Sequence, residues 1–317
     1  MFGTALKEVT SIFNRRFLLN SFFPSLIFWT LLIMVFLLGS GSQNLLFFIQ
    51  AWEKQYPTSQ LLQIVGFLAW ITYFSHILES QSMKILRFYE GYWNFPLGKY
   101  LNNFGSNYYR KHLDFLDARL QKNPDDECYE EIYINYPLPL DKADVMPTRL
   151  GNILKNSELY PYRRYKIDAV LIWPRLYYLL PERFIQSIAE ARGALEFLLS
   201  LSILSGFFAC ISGIYLIVVG GSWQLFLACF WGGFLVSWLA YQGALDSAIC
   251  CSQQIKAAFD LYRNEVFKKM RLPLPMKPGK EDERAKWQMI CAFLYRNKVG
   301  SLIYTNENNE DDENNRD

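Results

Sequence analysis

Four long apolar stretches constrain the fold of this chain more than any other feature. They occupy residues 17–38, 61–78, 197–219 and 223–244. As helices, at about 1.5 Å per residue, each is about long enough to cross a hydrocarbon layer of ~30 Å. The sequence therefore predicts a protein that crosses a membrane four times, with a large polar segment between the second and third spans.

The distribution of charge predicts which side of the membrane each segment faces. The net charge is only +2, which gives no reason to expect nucleic acid as a partner. Lysine and arginine precede the first span and recur through the middle segment and after the fourth span, but they are scarce in the connections 39–60 and 220–222. By the positive-inside rule, both termini and the middle segment are cytoplasmic, and the chain is a multi-pass protein of the plasma or inner membrane, in contact with the lipid bilayer.

The helical pattern continues beyond three of the spans. Residues 223–271 contain no proline, and their apolar stripe persists past the fourth span. Similar patterns extend the second span to Glu90 and begin the third at Glu182. An apolar stripe outside the membrane must be buried in protein, so Phe259 and Tyr262 are predicted to be covered.

The predicted fold is a mainly α membrane protein with two transmembrane helical hairpins, whose helices extend into a small, mostly helical cytoplasmic domain. Its segments are a first hairpin over 1–79, the cytoplasmic domain over 80–196, a second hairpin with a long cytoplasmic helix over 197–271, a cytoplasmic segment over 272–304 and a disordered acidic tail over 305–317.

Local patterns subdivide the middle segment. Residues 108–122 and 148–159 have apolar positions at helical spacing, and Thr148 is placed to cap the second of these helices. In residues 130–136, Ile132 and Ile134 alternate with polar side chains. This alternation, followed by Pro137, predicts a short strand.

The most distinctive motifs lie in residues 146–180. They read PTRLGN at 147–152, YPYRRY at 160–165 and DAVLIWPRL at 168–176. This pattern between paired membrane spans resembles uncharacterised bacterial four-span integral membrane proteins with a PTRLGN…DAVxxWPRL-type central motif. The resemblance implies the same membrane layout, and it implies no activity.

The segment 169–180 is too short, and too interrupted by Pro174, to cross a bilayer. It carries residue types that prefer the lipid headgroup layer. We interpret it as an interfacial or re-entrant element; the alternative is a buried part of the cytoplasmic domain. The candidate headgroup contacts are Arg163, Arg164, Trp173 and Arg175.

Few ionisable residues lie in the spans, where a charge is costly. His76 and Glu79 fall near the end of the second span, and Asp246 just after the fourth. They are candidate charges at the inner mouth of a pore. The alternative is ordinary hydrogen bonding at helix ends, with Arg192 or Lys84 close by. No spacing typical of a metal site or a disulfide framework occurs among the cysteines and histidines, so no metal or cofactor is predicted.

Small residues give the third and fourth spans faces that can pack together. In the third span they are Ser202, Gly206, Ala209, Ser212 and Gly213, and in the fourth Ala228, Gly232, Gly233 and Ser237.

No phosphate loop, nucleophile elbow or zinc-protease motif is present in the sequence, so we predict a protein that is not an enzyme. Two functions fit this pattern: an oligomeric channel or pore built from several copies, or a membrane-anchored scaffold that recruits a cytoplasmic protein partner.

Overall fold

The computed structural model describes residues 15–39, 41–123, 126–136, 142–275 and 281–298, and in these ranges the chain forms helices and no strand. The longer helices are α1 (Phe23–Gly39), α2 (Ser42–Glu53), α3 (Pro57–Ser80), α4 (Ser82–Glu90), α5 (Gly98–Lys122), α6 (Cys128–Asn135), α7 (Arg149–Tyr165), α8 (Ala169–Tyr177), α9 (Glu182–Val219), α10 (Trp223–Lys269) and α11 (Glu281–Arg296). The predicted acidic tail lies outside the described residues.

Among the described residues, four helical segments are long and apolar enough to cross a membrane: Leu18–Gly39, Pro57–Ser80, Glu182–Val219 and Trp223–Lys269. They contain the four apolar stretches apart from Phe17, so the mainly α fold with four candidate spans is confirmed. Helix α10 has 47 residues. It is therefore ~70 Å long, more than twice the thickness of a hydrocarbon layer. It ends at Lys269, two residues earlier than predicted, because Arg271 takes a left-handed φ of 54°.

The chain divides into two compact units. The first contains the described residues up to Tyr89 together with Arg192–Ser247, and the second contains Glu90–Ala191 and the described residues from Ala248 onward. Helices α9 and α10 contribute residues to both.

In the first unit, α9 and α10 approach each other through small residues. A Cβ added at Gly233 would lie only 2.8 Å from the Cβ of Ala209. The two helix backbones therefore approach so closely at this position that only glycine fits without a shift. The Ser202 and Ser237 hydroxyls donate to each other's backbone carbonyls at 2.9 and 2.8 Å. The predicted packing of small faces is confirmed at these positions. Gly232 is different, because nothing lies within 4 Å of an added Cβ.

Helix α1 packs on α9 in the same unit. The Tyr215 hydroxyl donates to the carbonyl oxygen of Phe36 at 2.8 Å. Val35, Leu216 and Cys229 form a small buried cluster beside this contact. A bulky side chain could not replace Gly39, because an added Cβ would lie 2.6 Å from the Tyr215 ring.

Two apolar cores lie in the described part of the second unit. The larger core combines α7, α8 and α11 with the parts of α9 and α10 that belong to this unit. Phe259 is buried in it beside Trp173, with 5.9 Å between ring centroids, and Tyr262 packs on Phe184. The prediction that Phe259 is covered is therefore confirmed, and Tyr262 is partly covered.

The smaller core lies between α5 and α6 and shows that the predicted strand over 130–136 was wrong. Cys128, Ile132 and Tyr136 are buried at four-residue spacing and pack on Leu113 and Leu116. The segment is helix α6, because this spacing places one face inward, whereas the apparent alternation places only Ile132 in the core. Glu130 and Glu131 in its first turn complement the helix dipole.

Three helix boundaries also differ from the prediction. Helix α7 ends at Tyr165, six residues beyond the predicted end of the helix over 148–159. Helix α5 begins at Gly98, ten residues before the apolar face of residues 108–122. The extension of the second span to Glu90 is helical but is divided at Gln81, whose backbone N–H bonds to the carbonyls of Ile77 and Leu78.

Candidate cleft and buried charge cluster

The PTRLGN motif builds the start of α7. Thr148 Oγ1 caps this helix by accepting from the Gly151 N–H at 3.0 Å, as predicted. The Asn152 side chain accepts from the Met146 N–H at 2.8 Å and donates to the Met146 carbonyl at 3.0 Å. A Cβ at Gly151 would lie 2.2 Å from the carbonyl oxygen of Glu90. These residue types are therefore needed to hold the preceding loop against the helix.

A cluster of charged side chains, three of them buried, lies along one face of α10 and the start of α11 within the second unit. We call it the charge cluster: Lys256, Asp260, Arg263 and Glu283, with the tyrosines that contact them. The first three are four and three residues apart, so they share one side of the helix. Asp260 accepts hydrogen bonds from the hydroxyls of Tyr160 at 2.8 Å and Tyr165 at 2.6 Å.

Partners surround the other charges of this cluster. Arg263 Nε donates to Glu283 Oε1 at 2.7 Å, and Glu283 is 0% exposed. The Arg263 guanidinium also lies 4.0 Å from the centroid of the Tyr165 ring. Lys256 Nζ donates to the Tyr133 carbonyl at 3.2 Å and lies 4.4 Å from the centroid of that ring. The cluster thus links α6, α7, α10 and α11.

Burial raises the pKa of both Tyr160 and Tyr165. Together with the hydrogen bond to the Asp260 carboxylate, it raises the pKa of Tyr165 to about 12. The same two causes raise the pKa of Tyr160. Both hydroxyls therefore remain protonated donors at neutral pH.

The candidate headgroup contacts Arg163 and Arg164 lie at the end of α7. Arg163 donates to the carboxylate of Asp144, and its side chain is mostly buried. Arg164 is exposed, with its guanidinium 5.7 Å from the ring centroids of both Tyr160 and Tyr165. Each arginine therefore already has a contact within the second unit.

Trp173 and Arg175 lie on α8, which Asp168 caps by accepting from the Val170 N–H at 3.0 Å. Trp173 is half-buried against Phe259. Arg175 is exposed and donates to the Leu171 carbonyl at 2.5 Å. The four candidate residues are not gathered on one open surface, and their binding to headgroups remains a prediction.

A cleft of about 250 Å³ opens in the second unit between α5, α6 and the start of α7. Its lining combines aromatic, charged and amide side chains: Tyr108, Tyr109, His112, Glu131, Asn135, Tyr136, Arg149 and Asn152. The PTRLGN motif positions it, since Arg149 and Asn152 belong to that motif.

Hydrogen bonds order the lining of the cleft. His112 Nδ1 lies 3.3 Å from the Tyr136 hydroxyl, and His112 Nε2 lies 3.9 Å from Glu131 Oε1. Arg149 Nε donates to Asn135 Oδ1 at 3.3 Å. Burial raises the pKa of Tyr136, and of Tyr109 as well, so both hydroxyls stay neutral. The cleft can therefore offer a cation, a carboxylate and neutral hydroxyls to a bound group.

The candidate inner-mouth residues lie in the first unit. His76 stacks on Phe17 with 4.4 Å between ring centroids, and its Nδ1 lies 3.9 Å from Glu79 Oε2. Glu79 and Asp246 are exposed. Arg192, considered as a partner for them, instead pairs with Glu196 at 3.0 Å.

Neither the cleft nor the charge cluster was predicted from the sequence. The signal for the cluster was the spacing of Lys256, Asp260 and Arg263 beside the apolar stripe of α10. Among the described residues, no group of three or more His, Cys, Asp and Glu could hold a metal ion.

No family model matches this chain, and neither a curated protein nor a solved structure matches it.

Proposed function

We propose that this chain is a membrane-anchored scaffold whose second unit recruits a cytoplasmic protein partner through the cleft. In this proposal the four spans form two hairpins, and both termini and the second unit lie in the cytoplasm, as the positive-inside rule favours. The observation that carries the proposal is the cleft itself, which collects aromatic, cationic and acidic side chains at an open surface.

The residue types in the cleft support a protein partner. The cleft has a volume of about 250 Å³, close to the lower end of the range of about 300–1,000 Å³ for sites of drug-sized ligands. That volume suits one large side chain inserted as an anchor, with tyrosine and arginine as the residue types that most often contribute binding energy. The third and fourth spans offer fewer polar groups for binding than the cleft does, because residues 197–219 and 223–244 contain no charged side chain.

Photo-crosslinking in intact cells tests this role. With p-benzoylphenylalanine in place of Tyr108, we expect one discrete crosslinked protein, and adding Arg149→Ala should reduce its yield. The matched control replaces Tyr178, which is 88% exposed and lies outside the cleft. The same adducts from both positions would show that contact is nonspecific and would contradict the scaffold.

The membrane orientation can be tested separately, in a background without the exposed cysteines Cys210 and Cys250. We expect Ser222→Cys to react with an impermeant maleimide in intact cells and Tyr178→Cys to react only after lysis. Cys128 is a poor reporter because it is buried. Labelling of Tyr178→Cys from outside would reverse the proposed topology.

A channel formed by several copies is the second candidate function. It is favoured by the exposed carboxylates of Glu79 and Asp246 at span ends, which could form a cation-attracting ring around an axis. Native mass spectrometry should then show a ring of four or more subunits, and Asp246→Asn should lower cation over anion permeability in planar bilayers. A monomer or dimer that gives electrically silent bilayers would exclude the channel.

A further inference from the structure

Helix α5 of the second unit has two apolar faces. One face is buried, where Leu113 and Leu116 pack on Ile132 of α6. The other is exposed and carries large side chains, between 47% and 76% accessible. We call it the aromatic stripe: Leu97, which immediately precedes α5, and Tyr100, Leu101, Phe104 and Phe115 of the helix. An apolar face of this size on the surface marks a site of interaction.

Helix geometry shows that the stripe is one continuous surface. At about 100° per residue, its five positions fall within an arc of about 100°. The packed face with Leu113 and Leu116 is centred about 140° away from the stripe. Gly105, between the two faces, approaches the loop before α7: a Cβ there would lie 2.4 Å from the Pro147 carbonyl oxygen. The contacts that hold α5 in the second unit therefore leave the stripe uncovered.

Basic residues accompany the stripe. Lys111 falls in the same arc and is exposed, and Arg119 and Lys122 continue that arc toward the end of the helix. Over its whole length, α5 has the basic residues Lys99, Arg110, Lys111, Arg119 and Lys122 and the acidic residues Asp114 and Asp117. Aromatic and leucine side chains beside lysine and arginine are the composition of helices that lie in the headgroup layer.

We propose that the aromatic stripe of α5 rests in the headgroup layer of an anionic bilayer, the bilayer that the apolar helices cross. Tyrosine and phenylalanine would enter the interface, while Lys111 would reach the lipid phosphates. Anionic lipid complements the basic excess of α5. Pairing of two copies through the stripe would bring two Lys111 side chains together, and like charges oppose that contact.

Chain connectivity supplies a second reason for this occupant. The 17 residues 81–97, which include α4, connect the candidate span that ends at Ser80 to the first residue of α5, Gly98. A surface tethered so close to the bilayer meets lipid at a high effective concentration, so weak contacts suffice. Tyr108 of the cleft falls in the same arc as the stripe, so the two surfaces adjoin on α5, but the proposal does not depend on the cleft.

Photo-crosslinking of the full chain in its native membrane tests the occupant. With p-benzoylphenylalanine at Phe104, an aromatic replacement that preserves the fold, we expect phospholipid adducts in mass spectra of the purified protein. Asn103 is the matched control, because it is adjacent and exposed but points away from the stripe. Adducts at Phe104 that contain a second copy of this chain or another protein, in place of lipid, would overturn the proposal.

Lipid composition provides an independent readout. In vesicles of phosphatidylcholine, added phosphatidylglycerol should raise the yield of lipid adducts at Phe104. Lys111→Gln should lower the yield about fivefold, the usual effect of one basic residue at an anionic surface. Lys268→Gln, which removes an exposed charge from α10, should leave it unchanged. A yield that depends on neither anionic lipid nor Lys111 would also overturn the proposal.

Discussion

The two units of this protein are stabilised in opposite ways. In the first unit, large apolar side chains such as Phe207, Trp231 and Leu235 are exposed on the candidate spans, and helices meet through glycine, alanine and serine. In the second unit, aromatic side chains are buried in apolar cores, and the charged side chains of Lys256, Arg263 and Glu283 are buried as well. The same polypeptide therefore uses two kinds of interior.

This difference in packing between the two units follows from the solvent that each surface suits, which is lipid for the candidate spans and water for the second unit. Lipid provides no hydrophobic driving force for burying apolar side chains between helices. Spans therefore associate by close packing of small residues and by hydrogen bonds such as those between Ser202 and Ser237. The core of the second unit excludes water, and each charge enclosed there must be paired. Substitutions that are severe in one unit should therefore be mild in the other.

The largest expected effect is in the charge cluster. Glu283→Ala leaves the Arg263 guanidinium buried without its carboxylate, which should reduce the free energy of unfolding by about 3–5 kcal/mol. Chemical denaturation of the purified protein measures this loss. The control is Glu265→Ala, which breaks an exposed ion pair with Lys268 and should cost less than about 1 kcal/mol. Similar losses for both variants would show that the Arg263–Glu283 pair is not enclosed.

Phe259→Ala sharpens the comparison between the units. It empties a fully buried site in the core of the second unit, which should cost about 3 kcal/mol. Phe207→Ala removes the same side chain from an exposed site in the first unit and should cost much less in lipid or detergent. Thermal unfolding of both variants provides the test, and an unchanged melting temperature for Phe259→Ala would contradict the burial.

The sequence was sufficient for features that depend on long periodic patterns. The four candidate spans, the length of α10 and the cap at Thr148 could be predicted because apolar periodicity and cap chemistry are local. The strand over 130–136 was wrong because seven residues are too few to separate alternation from a helical face when Cys128, just outside the segment, completes the buried set.

The candidate sites required information that is not local. Lys256 reaches a carbonyl of α6, and Arg263 reaches Glu283 of α11, 20 residues away in sequence. The cleft assembles side chains from α5, α6 and α7, and no spacing in the sequence indicates that they meet. The adjacent residues Gly232 and Gly233 also differ in how closely another helix approaches them, because only Gly233 faces Ala209 of α9.

Gly232 and Gly233 provide a test within the first unit for which the expected loss of stability is smaller. Gly233→Ala places a methyl group 2.8 Å from the Ala209 Cβ and 3.1 Å from the Ser205 carbonyl oxygen, which the helices can relieve only by moving apart. We expect a loss of about 2 kcal/mol, typical of overpacking. Gly232→Ala is the matched control and should be neutral. A loss that is equal for both would contradict the close contact of α9 with α10.

The smallest expected effect extends the comparison to alkaline pH. Between the unfolded pKa of 10.0 and the folded pKa of about 12, Tyr165 keeps its proton only in the folded state. Its contribution to stability is therefore complete below pH 10 and is lost as the pH rises through about 12.

Tyr165→Phe should cost about 1.5 kcal/mol at neutral pH, the usual value for a hydrogen bond to a carboxylate. The loss of stability above pH 10 should become less steep in this variant than in the parent, whereas Tyr178→Phe, at an exposed position, should change neither property. Denaturation midpoints measured from neutral to alkaline pH provide the comparison, and an identical alkaline slope in the Tyr165→Phe variant would show that this hydroxyl does not stabilise the second unit.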